Sequence, residues 1–237
     1  MAEPQPASQV ANRSVLRALS ILELLSRTER PLSLAEIAAA LDLPRSSALS
    51  LLRALTQREF AAADGQGRYM LASRSFEIGA AYLRSMTPVR AVEGELRHLT
   101  ESLGVTSHFA ILDGGDVLYL AKQDPPGPGL TLASSLGARL PALTTAVGKV
   151  QLAFSGGVRF EAVRNAGYAI DDGETATGIR CVAAPVFDSG GCCGAIGVSY
   201  LLQVGPDSPV IAQPVMAAAA RASQRLGGRA YLTREAS

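Results

Sequence analysis

A chain of 237 residues with 48% hydrophobic content can bury a real core and is long enough for two small domains. A net charge of +1 excludes a generic polyanion binder, and no apolar run approaches the roughly 18 residues of a membrane span, since Arg17, Glu23 and Arg27 interrupt the most hydrophobic early stretch. Cys181, Cys192 and Cys193 are odd in number and two are adjacent, which excludes a disulfide framework and gives no metal-ligand spacing with a histidine.

No metal and no cofactor is therefore expected. The first dozen residues, Met1 to Asn12, have neither a basic start nor an apolar block, so they read as a loose tail on a cytoplasmic protein. From Ser14 to Ser26, Val15, Ala18, Leu22 and Leu25 recur at steps of three and four and predict a helix, with Glu23 and Arg27 as an outward pair. After Pro31, Ser33 to Glu36 reads as a capping box opening a short second helix that ends near Leu41. Pro44 suits the first position of a third helix, which runs to about Glu59. Phe60 to Ala63 and Arg68 to Leu71 flank Asp64-Gly65-Gln66-Gly67, a turn whose glycines permit positive φ, and so predict a small hairpin wing. Phe76 to about Arg84, stopped by Pro88, reads as a connecting helix.

Beyond Pro88, Val89, Val92, Leu96, Leu99 and Leu103 mark a helix closed by Gly104. Two hairpins follow in chain order: His108 to Leu112 with Val117 to Ala121, then Ile179 to Phe187 with Ala195 to Leu201. Between them lies a helix near Thr145 to Phe154, and Val215 to Leu226 closes the chain as an alanine-rich helix. The predicted fold class is α+β: a tail over 1–12, a winged helix-turn-helix over 13–74, a linker helix over 75–87, an antiparallel-sheet domain over 88–229 and a tail over 230–237.

Helix, turn, helix and wing is the arrangement that sets a recognition helix in the DNA major groove. In the third helix Ala48, Leu51, Leu52 and Leu55 share one side, and Ser46, Ser50, Arg53 and Gln57 fall opposite. Arg45 opens the helix where a guanidinium can reach guanine or phosphate, and Ser46, Ser47 and Ser50 are short enough to let the helix approach. Arg68 sits on the wing, and arginines outnumber acids nine to six between Arg13 and Arg74. Double-stranded operator DNA is the expected partner.

These residues resemble the IclR family of bacterial transcriptional regulators from Arg13 to Gly228. In the first half the likeness rests on Ser14 to Leu25, Leu34-Ala35-Glu36-Ile37-Ala38, Leu43-Pro44-Arg45-Ser46-Ser47 and Arg68-Tyr69-Met70-Leu71. In the second it rests on Gly137 to Pro141, Ala146-Val147-Gly148-Lys149, Gly167 to Asp171, Glu174, Gly178 and Cys181 to Phe187. The resemblance implies a GAF-like antiparallel effector domain, self-association as dimers or tetramers, and repression or activation modulated by a small metabolite, often an organic or aromatic acid. It also implies a pocket edged by Ala146, Val147 and Gly148 and lined by Asp171, Ile179, Cys181 and Ser199.

Free N–H groups at a helix start hold an anion, and Gly148 offers a carboxylate a close approach. Cys181 serves equally as core filler, Asp171 as a turn cap, and Lys149 reads as a solvated helix lysine. Two features depart from the family: Ser50 stands where a basic residue is usual, and the stretch between Phe154 and Phe160 is short. The rival readings are a metabolite-sensing module without DNA binding, and an enzyme using Cys181 as nucleophile with His108 or His98 as base. Cys192 and Cys193 read as hairpin filling, with redox sensitivity as the alternative.

Overall fold

The computed structural model describes residues 12–127, 135–155, 160–203 and 208–228. The expected tails, except Asn12, and positions 156–159 of the short stretch lie outside the described residues. The described residues form two compact units, divided between Arg84 and Ser85.

The first unit comprises α1 (Arg13–Ser26), β1 (Leu32–Ser33), α2 (Leu34–Ala40), α3 (Arg45–Gln57), β2 (Ala61–Ala63), β3 (Arg68–Leu71) and α4 (Ser73–Ser85). Asn12 caps α1 by accepting from the Ser14 N–H at 3.1 Å. The capping box of α2 is present: Ser33 Oγ accepts from Glu36 N, and Glu36 returns a carboxylate oxygen to Ser33 N at 2.8 Å. Ile21, Leu25, Leu32, Ile37, Leu52 and Ala61 make the core. The buried stripe of α1 is thus set by Ile21 and Leu25; Val15, expected on it, is 52% exposed. Glu23 and Arg27 are both exposed, Arg27 is the C-cap of α1, and no ion pair joins the two among the described residues.

Pro44 is the N-cap of α3 and not its first residue, and the helix stops at Gln57, two residues early, because Glu59 turns to a φ of 62°. In the wing turn only Gly67 takes a positive φ, 71°; Asp64 shapes the rest by accepting from the N–H groups of Gln66 and Arg68, each at 2.8 Å. A strand the sequence did not announce, β1, pairs antiparallel with β3 and completes a three-stranded sheet in the order β1-β3-β2.

The second unit runs α5 (Thr87–Leu103), β4 (Thr106–Asp113), β5 (Asp116–Gln123), β6 (Arg139–Pro141), α6 (Ala146–Phe154), α7 (Glu161–Ala166), β7 (Ala169–Asp172), β8 (Ile179–Asp188), β9 (Gly191–Leu201) and α8 (Ser208–Arg225). Gly104 ends α5 in the left-handed region at φ 66°, as its position predicts. The strands form one antiparallel sheet in the order β6-β5-β4-β9-β8-β7. Because side chains alternate along a strand, the sheet has two distinct faces. Ser107 reaches the α5 carbonyl of Leu96 and Phe187 N donates to Ser223 of α8, so α5 and α8 cover one face. Ala110, Ala183, Ala195 and Ala169 pack with Ala146, Val147 and Val150 of α6 on the other. The closing helix begins at Ser208, upstream of the expected Val215, and carries Pro214 inside it.

Candidate DNA interface and effector site

The exposed side of α3 is the one predicted. Arg45, Ser46, Ser50, Arg53 and Gln57 are exposed and Ser47 is half-buried, while Ala48 and Leu52 anchor the opposite side in the core. Pro44 contributes no side-chain cap, so the first turn of α3 keeps its outward N–H groups beside the Arg45 guanidinium. Arg68 has a different setting. It pairs across the sheet with Ser33, its Nη1 donates to Pro31 O at 3.4 Å, and the same nitrogen lies 3.8 Å from Glu36. The guanidinium is thereby drawn back to the start of α2, away from the wing turn. Arg30 also binds Glu36 at 2.8 Å, and its hydrogen bond is the main reason the Glu36 carboxyl is held down to about 2.

In the second unit, strand pairing brings together residues that are far apart in sequence. Asp171 faces Cys181, Cys181 faces Ser199 and Ser199 faces Thr106, a single row across β7, β8, β9 and β4. The row lies on the α6 side, with Ile179 two residues along β8 on the same face. The first turn of α6 stands over it: a Cβ at Gly197, next to Ser199 in the alternation, would meet Val147 Cγ1 at 3.0 Å. All the implied pocket positions therefore share one side of the sheet.

Their individual roles differ from simple expectation. Gly148 is required because the Ala142 backbone packs where its Cβ would be, and its N–H is taken by the Thr145 cap at 3.1 Å, so room for a carboxylate is not what calls for glycine here. Asp171 accepts from the N–H groups of Glu174 and Thr175 at 2.8 and 3.2 Å and shapes that turn. Lys149 is not solvated: it is 12% exposed, donates to Ile170 O at 2.9 Å and pairs with Glu174. The Cys181 thiol lies 3.0 Å from Ser199 Oγ.

Sequence reasoning missed Thr106 and Tyr119 here, and treated His108 only as a candidate base. His108, on the same face as Thr106, stacks edge-on to Tyr119 with centroids 5.2 Å apart, and its Nδ1 is buried with no partner among the described residues. Burial pushes His108 down to about 3, the Cys181 thiol up to about 12, and the Tyr119 phenol up as well. The thiol, imidazole and phenol here are thus neutral, and they stand beside the Asp171 carboxyl, which is engaged by its own turn, and the Thr106 hydroxyl, which donates to Asp124 at 2.8 Å. The site offers no thiolate–imidazolium pair for nucleophilic chemistry. His98, the other proposed base, is exposed on α5.

Residues 14–65 match the IclR helix-turn-helix domain, and residues 80–162 and 158–224 match the bacterial transcriptional regulator IclR C-terminal domain in two segments that meet at the short stretch. The HTH-type transcriptional regulator KdgR of Escherichia coli (strain K12) is 29% identical over 203 residues, covering 74% of this chain and 76% of that protein. The Pca regulon regulatory protein of Pseudomonas putida is 27% identical over 214 residues, covering 78% and 73%. Among solved structures, an IclR transcriptional regulator from Alicyclobacillus acidocaldarius superposes with a TM-score of 0.77 at 26% identity, covering 91% of this chain and 98% of that one. Thermotoga maritima IclR superposes at 0.75 and 23% identity, covering 90% and 98%. No helix among the described residues is long and apolar enough to cross a membrane. The chain belongs to the IclR family: it is a DNA-binding transcriptional regulator with a C-terminal effector domain, and not an enzyme.

Proposed function

We propose that the chain binds a specific operator through α3 and that a small organic or aromatic acid, held between α6 and the sheet, changes that affinity. The boundaries follow: 13–74 for the DNA-binding unit, 75–87 for the linker and 88–229 for the effector domain. Arg45 serves as the base or phosphate contact at the helix start, Ser46, Ser47 and Ser50 allow close approach, and Arg53 and Gln57 reach further along the groove. Arg68 contributes by bracing the wing against α2.

The observation that carries the effector reading is the row Asp171–Cys181–Ser199–Thr106 beneath the first turn of α6. Hydroxyl, thiol and imidazole groups on its walls, with the Asp171 carboxyl held by the N–H groups of Glu174 and Thr175, suit an acid whose charge goes to the helix N-terminus at Ala146 and Val147. An IclR homolog from Microbacterium hydrocarbonoxydans with the same fold is complexed with 4-hydroxybenzoate, a ligand of this class. Self-association is supported in the first unit by apolar side chains left exposed on α1 and α4, including Leu16, Leu19, Phe76 and Ile78.

Fluorescence anisotropy tests the proposal, using DNA from upstream of the chain's own and neighbouring genes. Saturable binding to one segment over scrambled DNA, shifted by an aromatic or aliphatic acid in wild type but not in Ser199→Ala, is the expected outcome. Equal affinity for all segments, with or without acid, would overturn it.

A further inference from the structure

At the opposite end of the second unit's sheet lies a cavity of about 540 Å³, lined by Met86, Pro88, Ile111, Leu112, Asp188 and both adjacent cysteines, among others. We propose that this cavity is a second ligand site, which captures a trivalent thiophilic metalloid, arsenite or an organoarsenical, through Cys192 and Cys193. It is separate from the effector site: Ser199 stands six residues beyond Cys193, about 20 Å along an extended strand.

Neighbours on a regular strand point to opposite faces and cannot share a ligand. The β8–β9 ladder breaks that rule here. Val186 faces Gly194 but Phe187 faces Cys192, so Cys193 is an extra residue in a bulge, and both cysteines reach the one cavity. Among the described residues their sulfurs hold only long contacts, 3.5 Å to Gly194 O and 3.5 Å to Val186 O, which a stronger ligand displaces.

Chemistry selects the ligand class. Burial pushes Cys192 up to about 11 and Cys193 up to about 12, the latter also through Cys192 itself, so both stand as thiols at neutral pH. Thiols in that state are poor partners for alkylation or disulfide exchange, which consume thiolate. Condensation with arsenic(III) hydroxyls needs no thiolate in advance. Two S–H and two As–OH groups give two As–S bonds and two waters, with no change of oxidation state and no external oxidant. A four-coordinate divalent ion is a poorer fit, since no group of three or more His, Cys, Asp or Glu side chains among the described residues could hold a metal ion. Arsenic(III) needs two sulfurs and brings its own third substituent, for which Met86, Pro88, Ile111 and Leu112 supply an apolar wall.

Phenylarsine oxide titrated into the reduced full-length chain tests this, read by native mass and by a free-thiol count taken after unfolding in denaturant. One arsenical should bind per chain, lowering the thiols from three to one, with release by a 1,2-dithiol and not by an equal concentration of monothiol. Cys192→Ser and Cys193→Ser should each weaken binding roughly 100-fold by removing one arm of the chelate, and Cys181→Ser should not. Peptide mapping of the wild-type adduct, which depends on no variant's folding, should place the arsenic across residues 192 and 193. Undiminished thiols in wild type, tight binding by either of the two serine variants, or an adduct on Cys181 would overturn the proposal.

Discussion

Arg221 grips Glu95 twice: its Nε and Nη2 stand 2.9 and 2.6 Å from the same carboxylate oxygen, tying α8 to α5. Arg225, one helical turn on, donates to the other oxygen at 2.6 Å. Burial raises the Glu95 pKa, but hydrogen bonds from Arg221 and Arg225 outweigh it and leave the carboxyl below its ordinary 4.5. Since the folded state binds this proton less readily than the unfolded state, the stabilisation is whole above pH 4.5 and disappears as pH falls through the lower folded value. Glu95→Gln should cost about 1–2 kcal/mol at pH 7, a figure discounted because both arginines are half-exposed. It should also flatten the loss of stability below pH 4.5, as read by urea denaturation at pH 7 and pH 4.

Arg45 and Arg68, both arginines of the first unit, should separate in their effects. Arg45 is exposed at the head of α3, and Arg45→Ala should weaken operator binding by about 1–3 kcal/mol and reduce the salt dependence. Arg68 is engaged with Pro31 and Glu36, so Arg68→Ala should lower the melting temperature of the first unit more than it lowers DNA affinity. Anisotropy at two salt concentrations together with thermal unfolding of both variants checks the contrast.

What the sequence made legible was local. The capping box at Ser33 and Glu36, the left-handed cap at Gly104 and the wing turn at Gly67 are each specified by residues within four positions, and all are present. β1, β6 and β7 have two to four residues each, too short for an alternation to show, and they exist because a partner strand is already in place. The row Asp171–Cys181–Ser199–Thr106 depends on strand register between segments up to 93 positions apart, which no local pattern encodes. Only the family resemblance pointed to three of those four residues. Arg68 lies on the wing strand as read, but its contact with Pro31 O, 37 residues upstream, is one that no local pattern encodes.

Gly148 provides a test of packing against ligand access. Its Cα faces the Ala142 backbone, with no room for a methyl group. Gly148→Ala should therefore destabilise the second unit by about 1–3 kcal/mol even without ligand, the range for forcing an extra carbon into a packed interior. A variant of wild-type stability with weakened effector binding would restore the ligand-access explanation; calorimetry and ligand titration distinguish the two.

His108 sets a pH dependence of the opposite origin to that of Glu95. Its imidazole is buried, lies edge-on to Tyr119 and is held neutral down to about pH 3, whereas an unfolded histidine takes up its proton near 6.5. Between those values the unfolded chain carries one more proton at this position, so acidification favours unfolding by up to about 1.4 kcal/mol per pH unit. The stabilisation is complete above pH 6.5 and is lost progressively below it, well before Glu95 begins to titrate. Urea denaturation at pH 7.0, 6.0 and 5.0 should show this slope in the wild type, and His108→Gln should remove most of it over that interval. Parallel pH profiles for the two proteins would mean that the buried ring becomes protonated in the folded state, with a water or ligand group reaching Nδ1.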